Sequence, residues 1–383
     1  MRYLTSFIHK DLSLKMVFMT GPRQSGKTTL AKKILKKLQV GLYLNWDDAD
    51  DRKMIMARSW FQEDKLIILD EIHKYSKWKN FIKGTFDKQR EWHQFLITGS
   101  ARLDIYKKGQ DSLLGRFFSW RLHPLCLSEL KHNMHDPSAS KKNLTLLLER
   151  GGFPEPFFAK DPVFAKRWRK ERINLIFRQD IQEIEKIRDI YLLEFFYQSL
   201  VQRVGSEIVF SNMARDLEIA PKTAKAWASI LEKTYALFMV TPYSKNLVKA
   251  VVKAPKIYFY DNGEVEGDLG AKFENLVANH LLKRLHFLED LTGDQYQLHY
   301  VRDQQGHKID FLVVRNRKPV CLIDCKVSDS TPSRSLYYFR DKLKITHCLQ
   351  LVMNLEKNMT RDNIKIIPAL DWLSLPLSED LFS

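Results

Sequence analysis

Cysteine is scarce in this chain, with only Cys126, Cys321, Cys325 and Cys348, and none of them forms a CxxC pair. That excludes a disulfide-stapled secreted module and the paired-thiolate spacing of a structural zinc site. Such cysteines are expected to act as small buried hydrophobes in a reducing compartment. No uncharged apolar run approaches the ~18 residues that a membrane span needs. The opening stretch MRYLTSFIHKDLSLK has no apolar signal core. The expectation is a cytoplasmic protein with no membrane partner. Internal repeats and low-complexity tracts are also missing.

Acidic residues are in the minority, 46 against 62 Lys and Arg, for a formal net charge of +16. The excess is uneven: +12 over residues 1–150, +6 over 151–260 and −2 over 261–383. A surplus of this kind suits a polyanionic partner such as nucleic acid, although basic helix faces such as KKILKK also serve solubility. At 383 residues the chain exceeds a typical single core, so two or three domains are expected.

Three regions separate. Residues 1–135 alternate apolar strand runs (MVFMTG, VGLYLN, KLIILDE, FLITGS) with helical stretches, which predicts a parallel α/β sheet. Residues 136–255 form a helical middle, entered through a polar linker or loop over 131–143. The aromatics of YLLEFFYQSL recur at helical spacing and point to packing. Within this middle, about 206–245 has helix-turn-helix patterning, with Pro221 at the first turn of the second helix. Lys222, Thr223 and Lys225 open that helix and are candidate nucleic-acid contacts, with DNA ahead of RNA. Trp227 reads as a packing residue, and LFMVTPY as a wing strand. Residues 256–383 carry one long helix near 268–286, then strand runs at 296–301, 307–314, 319–325 and 347–353.

Gly21 to Thr28 read GPRQSGKT, a full G-x-x-x-x-G-K-[ST] match between an apolar strand and a helix. The candidate nucleotide-binding residues are Gly21, Pro22, Arg23, Gln24, Ser25, Gly26, Lys27, Thr28 and Thr29. Backbone N–H groups of such a loop cradle phosphate at a helix N-terminus. Lys27 would reach the β- and γ-phosphates, and Thr28 would hold magnesium. The strand KLIILDE ends in Asp70, placed to hold magnesium, and Glu71, placed to orient or deprotonate water. Thr98 or Ser100, at the end of FLITGS, is expected between those two strands, near the γ-phosphate or the water. Arg116 is a candidate sensor of transition-state charge, in cis or across a contact in a homo-oligomer, or else a surface ion-pair residue. The cofactors expected are ATP and Mg²⁺.

The stretch KIDFLVVRNRKPVCLIDCK, from Lys308 to Lys326, reads as an apolar hairpin that carries charge where charge is costly. Side chains two apart share a face, so Asp324 and Lys326 point the same way. A five-residue loop over 315–319 would pair Val314 with Val320 and set Asp310 opposite Asp324. Two facing carboxylates repel, and a divalent cation would resolve the conflict.

These segments together resemble a family of prokaryotic AAA-like ATPases, on GPRQSGKTTL, LDEIHKYSKW, LITGSA, SLLGR, HPLCLSEL, GGFPEP and FRQDI. The resemblance implies a P-loop NTPase sheet, a winged-helix middle and a C-terminal α/β restriction-endonuclease-like domain, with ATP binding and hydrolysis. It also implies a PD-(D/E)xK set: Glu274, Asp310 and Asp324 as ligands of Mg²⁺ or Mn²⁺, and Lys326 as the catalytic lysine. Three functions compete: an ATP-dependent nucleic-acid enzyme with nuclease activity, an ATP-gated regulatory or partner-binding switch with an inactive nuclease-like domain, and a small-molecule kinase. The acid pair Asp70–Glu71 disfavours the kinase.

Overall fold

The apolar runs of the first region become a parallel sheet. The computed structural model describes residues 2–99, 113–130, 137–184, 187, 189–244 and 254–379. Two compact units are present, Met1–Pro124 and Leu125–Ser383.

In the first unit the strands are β1 (Met16–Thr20), β2 (Gly41–Asn45), β3 (Leu66–Asp70), β4 (Gln94–Thr98) and β5 (Phe117–Arg121). Their order is β2-β3-β4-β1-β5, with every pair parallel. β1 and β3 are buried along their whole length, which is why they read as unbroken apolar runs. Phe18, Leu69, Phe95 and Ile97 pack with Trp78, Ile82 and Phe86 of the helix Trp78–Gln89. β4 lies between β1 and β3, so Thr98 ends between the two motif strands, as expected. Ser100 lies outside the described residues.

The second unit holds a mixed sheet. Its strands are β6 (Leu237–Pro242), β7 (Lys256–Phe259), β8 (Tyr296–Arg302), β9 (Lys308–Arg315), β10 (Lys318–Lys326), β11 (His347–Val352), β12 (Met359–Arg361) and β13 (Ile364–Pro368). The order is β12-β13-β11-β10-β9-β8-β6-β7. The boundary expected at residue 255 thus falls between two strands that pair with each other, β6 and β7. The long helix runs Leu269–Thr292, capped by Asp268, whose side chain accepts from Ala271 N.

The linker expected over 131–143 is corrected in its second half, because Pro137–Arg150 is helical; residues 131–136 lie outside the described residues. Proline is tolerated at a helix's first turn, so the polar run PSASKKN starts the helix rather than ending one. The helices Phe210–Asp216 and Pro221–Lys233 flank a short turn, and Pro221 is the first residue of the second. Trp227 is buried and packs edge-on against Phe196, which fits the packing role.

The hairpin differs from expectation in an instructive way. Arg315 pairs with Lys318 and Val314 with Pro319, so the turn is Asn316–Arg317, not a five-residue loop. Both turn residues have positive φ, 49° and 66°, the conformation that tight hairpins demand. An irregularity between Pro319 and Cys321 then shifts the register by one, and Cys321 pairs with Val313, Leu322 with Leu312 and Ile323 with Phe311. Continued by one residue, that register sets Asp310 opposite Asp324. The bulge restores the opposition that the shorter turn would have removed.

Candidate functional site

At the C-terminal edge of β1 the chain enters the loop 21–26 and then the helix Lys27–Leu38. Gly21 has φ +137°, and a Cβ there would lie 2.3 Å from the Leu122 carbonyl oxygen. Only glycine lets the loop pass so close to the strand edge. Lys27 is buried and its Nζ donates to the carbonyls of Gly21 (3.0 Å) and Pro22 (2.7 Å). Ser25 Oγ is buried without a hydrogen-bond partner.

Asp70 gathers the site. Its Oδ2 accepts from Thr28 Oγ1 (2.7 Å) and Tyr43 OH (2.7 Å), and its Oδ1 accepts from Thr98 Oγ1. Four elements therefore meet on one buried carboxylate: the loop helix, β2, β3 and β4. Tyr43 is the member that sequence reasoning missed. Burial, and then the Asp70 charge, push its phenol well above the ordinary tyrosine range. Glu71 follows in the left-handed region (φ 57°), and its N–H donates to Thr98 O at 2.9 Å. A non-glycine residue in that region is costly and needs support from its surroundings. Its carboxylate lies 3.6 Å from His73 Nε2 and 3.7 Å from Lys74 Nζ.

Arg116 requires a correction. Its carbonyl accepts from Met16 N, and Phe117 pairs with Met16 while Arg121 pairs with Thr20. Arg116 therefore lies at the sheet edge opposite the phosphate loop, roughly 16 Å away by strand rise. Its guanidinium pairs with Asp87 at 2.7 and 3.0 Å. The role in cis is excluded by this register.

In the second unit, the charged set expected from the hairpin does come together, with one addition. Asp310 and Asp324 are buried, and Lys326 Nζ lies 3.0 Å from Asp324 Oδ2. Glu274, on the long helix, faces the same centre. The addition is Lys256 of β7, whose buried Nζ lies 2.9 Å from Glu274 Oε1 and 3.4 Å from Asp310 Oδ1. Tyr258 OH donates to Glu274 Oε1 (2.6 Å), and Cys325 N donates to Asp310 Oδ2 (3.1 Å).

The carboxylates expected to hold a metal face a lysine ammonium in this arrangement. Among the described residues, no three His, Cys, Asp or Glu side chains are grouped so as to hold a metal ion. The Lys256 ammonium lies between two of the three carboxylates, Glu274 and Asp310. Burial alone would lower the Lys256 pKa, but the Glu274 and Asp310 charges outweigh it and hold the amine above its ordinary range. Burial, and then the Asp310 charge, push Asp324 up to about 7. Burial also raises Asp310, yet Lys256 and the Cys325 N–H bring it below the usual carboxylate range.

Lys222 and Lys225 are exposed at the start of their helix, where they line a groove with Phe210, Ser211, Met239 and Thr241. Thr223 is half-buried.

One buried histidine of this unit carries a pH prediction. His280 Nδ1 lies 2.9 Å from the Leu276 carbonyl, and Nε2 accepts from Leu127 N at 3.1 Å, so the ring is held neutral. Burial lowers its pKa to about 4. An unfolded chain binds that proton near pH 6.5 and the folded chain does not. The stabilisation is thus complete above the unfolded pKa and fades as pH falls towards 4, by roughly 3 kcal/mol in all. Asp324 and Glu264, both raised to about 7, slope the other way. The test is therefore a difference: urea unfolding of His280→Gln should lose less stability than the parent between pH 6.5 and 4. Parallel curves would contradict it.

Comparison with known proteins bears on the first unit. Residues 13–131 match the AAA domain family, a class of P-loop ATPase, which supports ATP binding and hydrolysis here. Residues 141–267 match the domain of unknown function DUF8612, and 269–372 match DUF4143, also of unknown function. An uncharacterized protein of Mycobacterium tuberculosis is 25% identical over 385 residues, spanning 96% of this chain and 83% of that protein. Another, of Methanocaldococcus jannaschii, is 22% identical over 372 residues, spanning 88% and 82%. Among solved structures, a Walker-type ATPase of Pyrococcus abyssi aligns with TM-score 0.41 and 12% identity, covering 68% of this chain and 93% of that one. The Aeropyrum pernix ORC1 protein in complex with DNA aligns with TM-score 0.35 and 11% identity, covering 74% and 92%. No helix among the described residues is long and apolar enough to cross a membrane.

Proposed function

We propose that the chain is a magnesium-dependent ATPase whose nucleotide state governs nucleic-acid binding by the second unit. The observation that carries this reading is the convergence of Thr28, Tyr43 and Thr98 on Asp70 beside the phosphate loop. The donor set suits the ligands it would hold. Lys27 can exchange two loop carbonyls for phosphate oxygens, and the partnerless Ser25 Oγ is available to an anion. Thr28 and Asp70 are the residues that would hold magnesium, which supplies charge neutralisation when bound. Glu71 would orient or deprotonate the attacking water. Thr98 is read as the group nearest the γ-phosphate or that water. Arg116 enters the scheme only across a subunit contact, in a homo-oligomer.

Binding of a fluorescent ATP analogue to the full chain tests the reading. Lys27→Ala should weaken it by at least ~10-fold, the worth of one strong charged contact. Equal affinity in the two proteins would contradict it.

The second unit is read as a winged-helix and restriction-endonuclease-like pair that binds nucleic acid without cutting it. Lys256 favours this over the nuclease, because the centre already holds a cation. The exposed Lys222 and Lys225 support duplex DNA as the ligand. Replacing both with Ala should lower the slope of log affinity against log salt by about 1.8, the share of two phosphate contacts. An unchanged slope would remove the helix Pro221–Lys233 from the interface.

A further inference from the structure

We propose that the Lys256 ammonium is the resident cation of the carboxylate centre, and that a divalent cation binds Glu274, Asp310 and Asp324 only when Lys256 is withdrawn. This rests on the nuclease-like reading of the hairpin and is independent of the nucleotide site.

The geometry supports it from several sides. Glu274 Oε1 already accepts from both Lys256 and Tyr258, and Asp310 uses Oδ1 for Lys256 and Oδ2 for the Cys325 N–H. Three of the four oxygens on these two carboxylates are thus committed to N–H or O–H donors. A divalent ion needs those oxygens at about 2.0–2.6 Å, closer than the ammonium stands, and it cannot share them with Lys256. Charge works the same way. Two ammonium groups, Lys256 and Lys326, already stand against the three carboxylates. A dication would enter this buried centre beside an ammonium, at a high cost.

The surroundings hold Lys256 in position. β7 is an edge strand, paired with β6 and tied to the long helix by Phe259 N donating to Asn275 Oδ1 at 2.8 Å. Asn275 and Asn279 both donate back to the Phe259 carbonyl. Gly205 closes another side. Its N–H donates to Ile257 O at 3.1 Å, its φ is +70°, and a Cβ there would stand 3.0 Å from Glu274 Oε1. The backbone fits this tightly only at glycine.

The experiment titrates Mn²⁺ into the nucleotide-free full chain, with free ion counted by electron paramagnetic resonance. The parent and Asp310→Asn should give the same isotherm. Lys256→Ala should gain a tight site that Asp310→Asn removes from the double variant, and Mn²⁺ should raise the melting temperature of Lys256→Ala alone. Should Lys256→Ala fail to fold, the closer-sized Lys256→Gln takes its place, and the parent with Asp310→Asn is a test in itself. A tight Mn²⁺ site in the parent that Asp310→Asn abolishes would overturn the proposal. So would the absence of a gained site in both Lys256 variants. Neither result bears on ATP-analogue binding, so the two readings fail separately.

Discussion

Replacing Glu71 with Gln is expected to slow ATP turnover by about 10²–10⁴-fold, the usual worth of a positioned general base. ATP binding should stay close to that of the parent, because Lys27, Thr28 and Asp70, the residues proposed to hold the nucleotide and its magnesium, are untouched. The position explains the separation. Glu71 leaves β3 in the left-handed region, with its N–H fixed to Thr98 O at 2.9 Å. The backbone thus turns the side chain away from the strand line that Asp70 continues. The amide of Gln keeps the size and the contact to Lys74 while losing the charge and basicity. Phosphate release and analogue binding, measured on the same preparation, check both halves. A loss of binding equal to the loss of turnover would show that Glu71 serves ground-state binding instead.

The second large effect is on stability. Arg172 is 1% exposed and makes three contacts. Nη1 lies 2.8 Å from Glu264 Oε1, Nη2 donates to Tyr235 O at 3.1 Å, and the guanidinium stands 4.2 Å from the Phe153 ring centre. It ties the helix Pro162–Leu175 to three other parts of the second unit. Arg172→Ala should cost about 3–5 kcal/mol, since one partner of a buried pair is left alone. Burial already pushes Glu264 up to about 7 against the pull of Arg172, so the variant's Glu264 should take up a proton at still higher pH. Stability should then be recovered in part by Arg172→Ala/Glu264→Gln, which removes the stranded charge. Urea unfolding of the two variants decides it. A double variant no better than the single one would assign the whole loss to packing.

Much of the first site was legible because its residues lie in contiguous motifs. GPRQSGKT and KLIILDE each name their side chains and the strand ends that carry them. Tyr43 was not legible. It reaches Asp70 only because β2 is the neighbour of β3, and strand order is decided by packing, not by local periodicity. The cis role of Arg116 failed for the same reason, while the alternative of a surface ion pair matches its contact with Asp87. Its motif was visible, but the pairing of Phe117 with Met16 sets it at the far edge of the sheet.

The carboxylate centre shows both outcomes in one place. The parity of side chains along β9 and β10 predicts that Asp310 faces Asp324, and they do face each other. The expected turn was wrong by three residues, and the irregularity after Pro319 compensated. Lys256 carried no signal at all. It precedes Glu274 in a short strand with no motif, and its meaning depends on β7 folding back over the long helix. A lysine that takes the place of a metal ion looks, in sequence, like any other lysine.

Hydrolysis of ATP by the first unit underlies the proposed function. Its most direct test is steady-state phosphate release by the purified full chain with ATP and Mg²⁺, beside Lys27→Ala. Release should saturate with ATP and fall to background in the variant. Release that is absent from the parent, or equal in the two proteins, would contradict it.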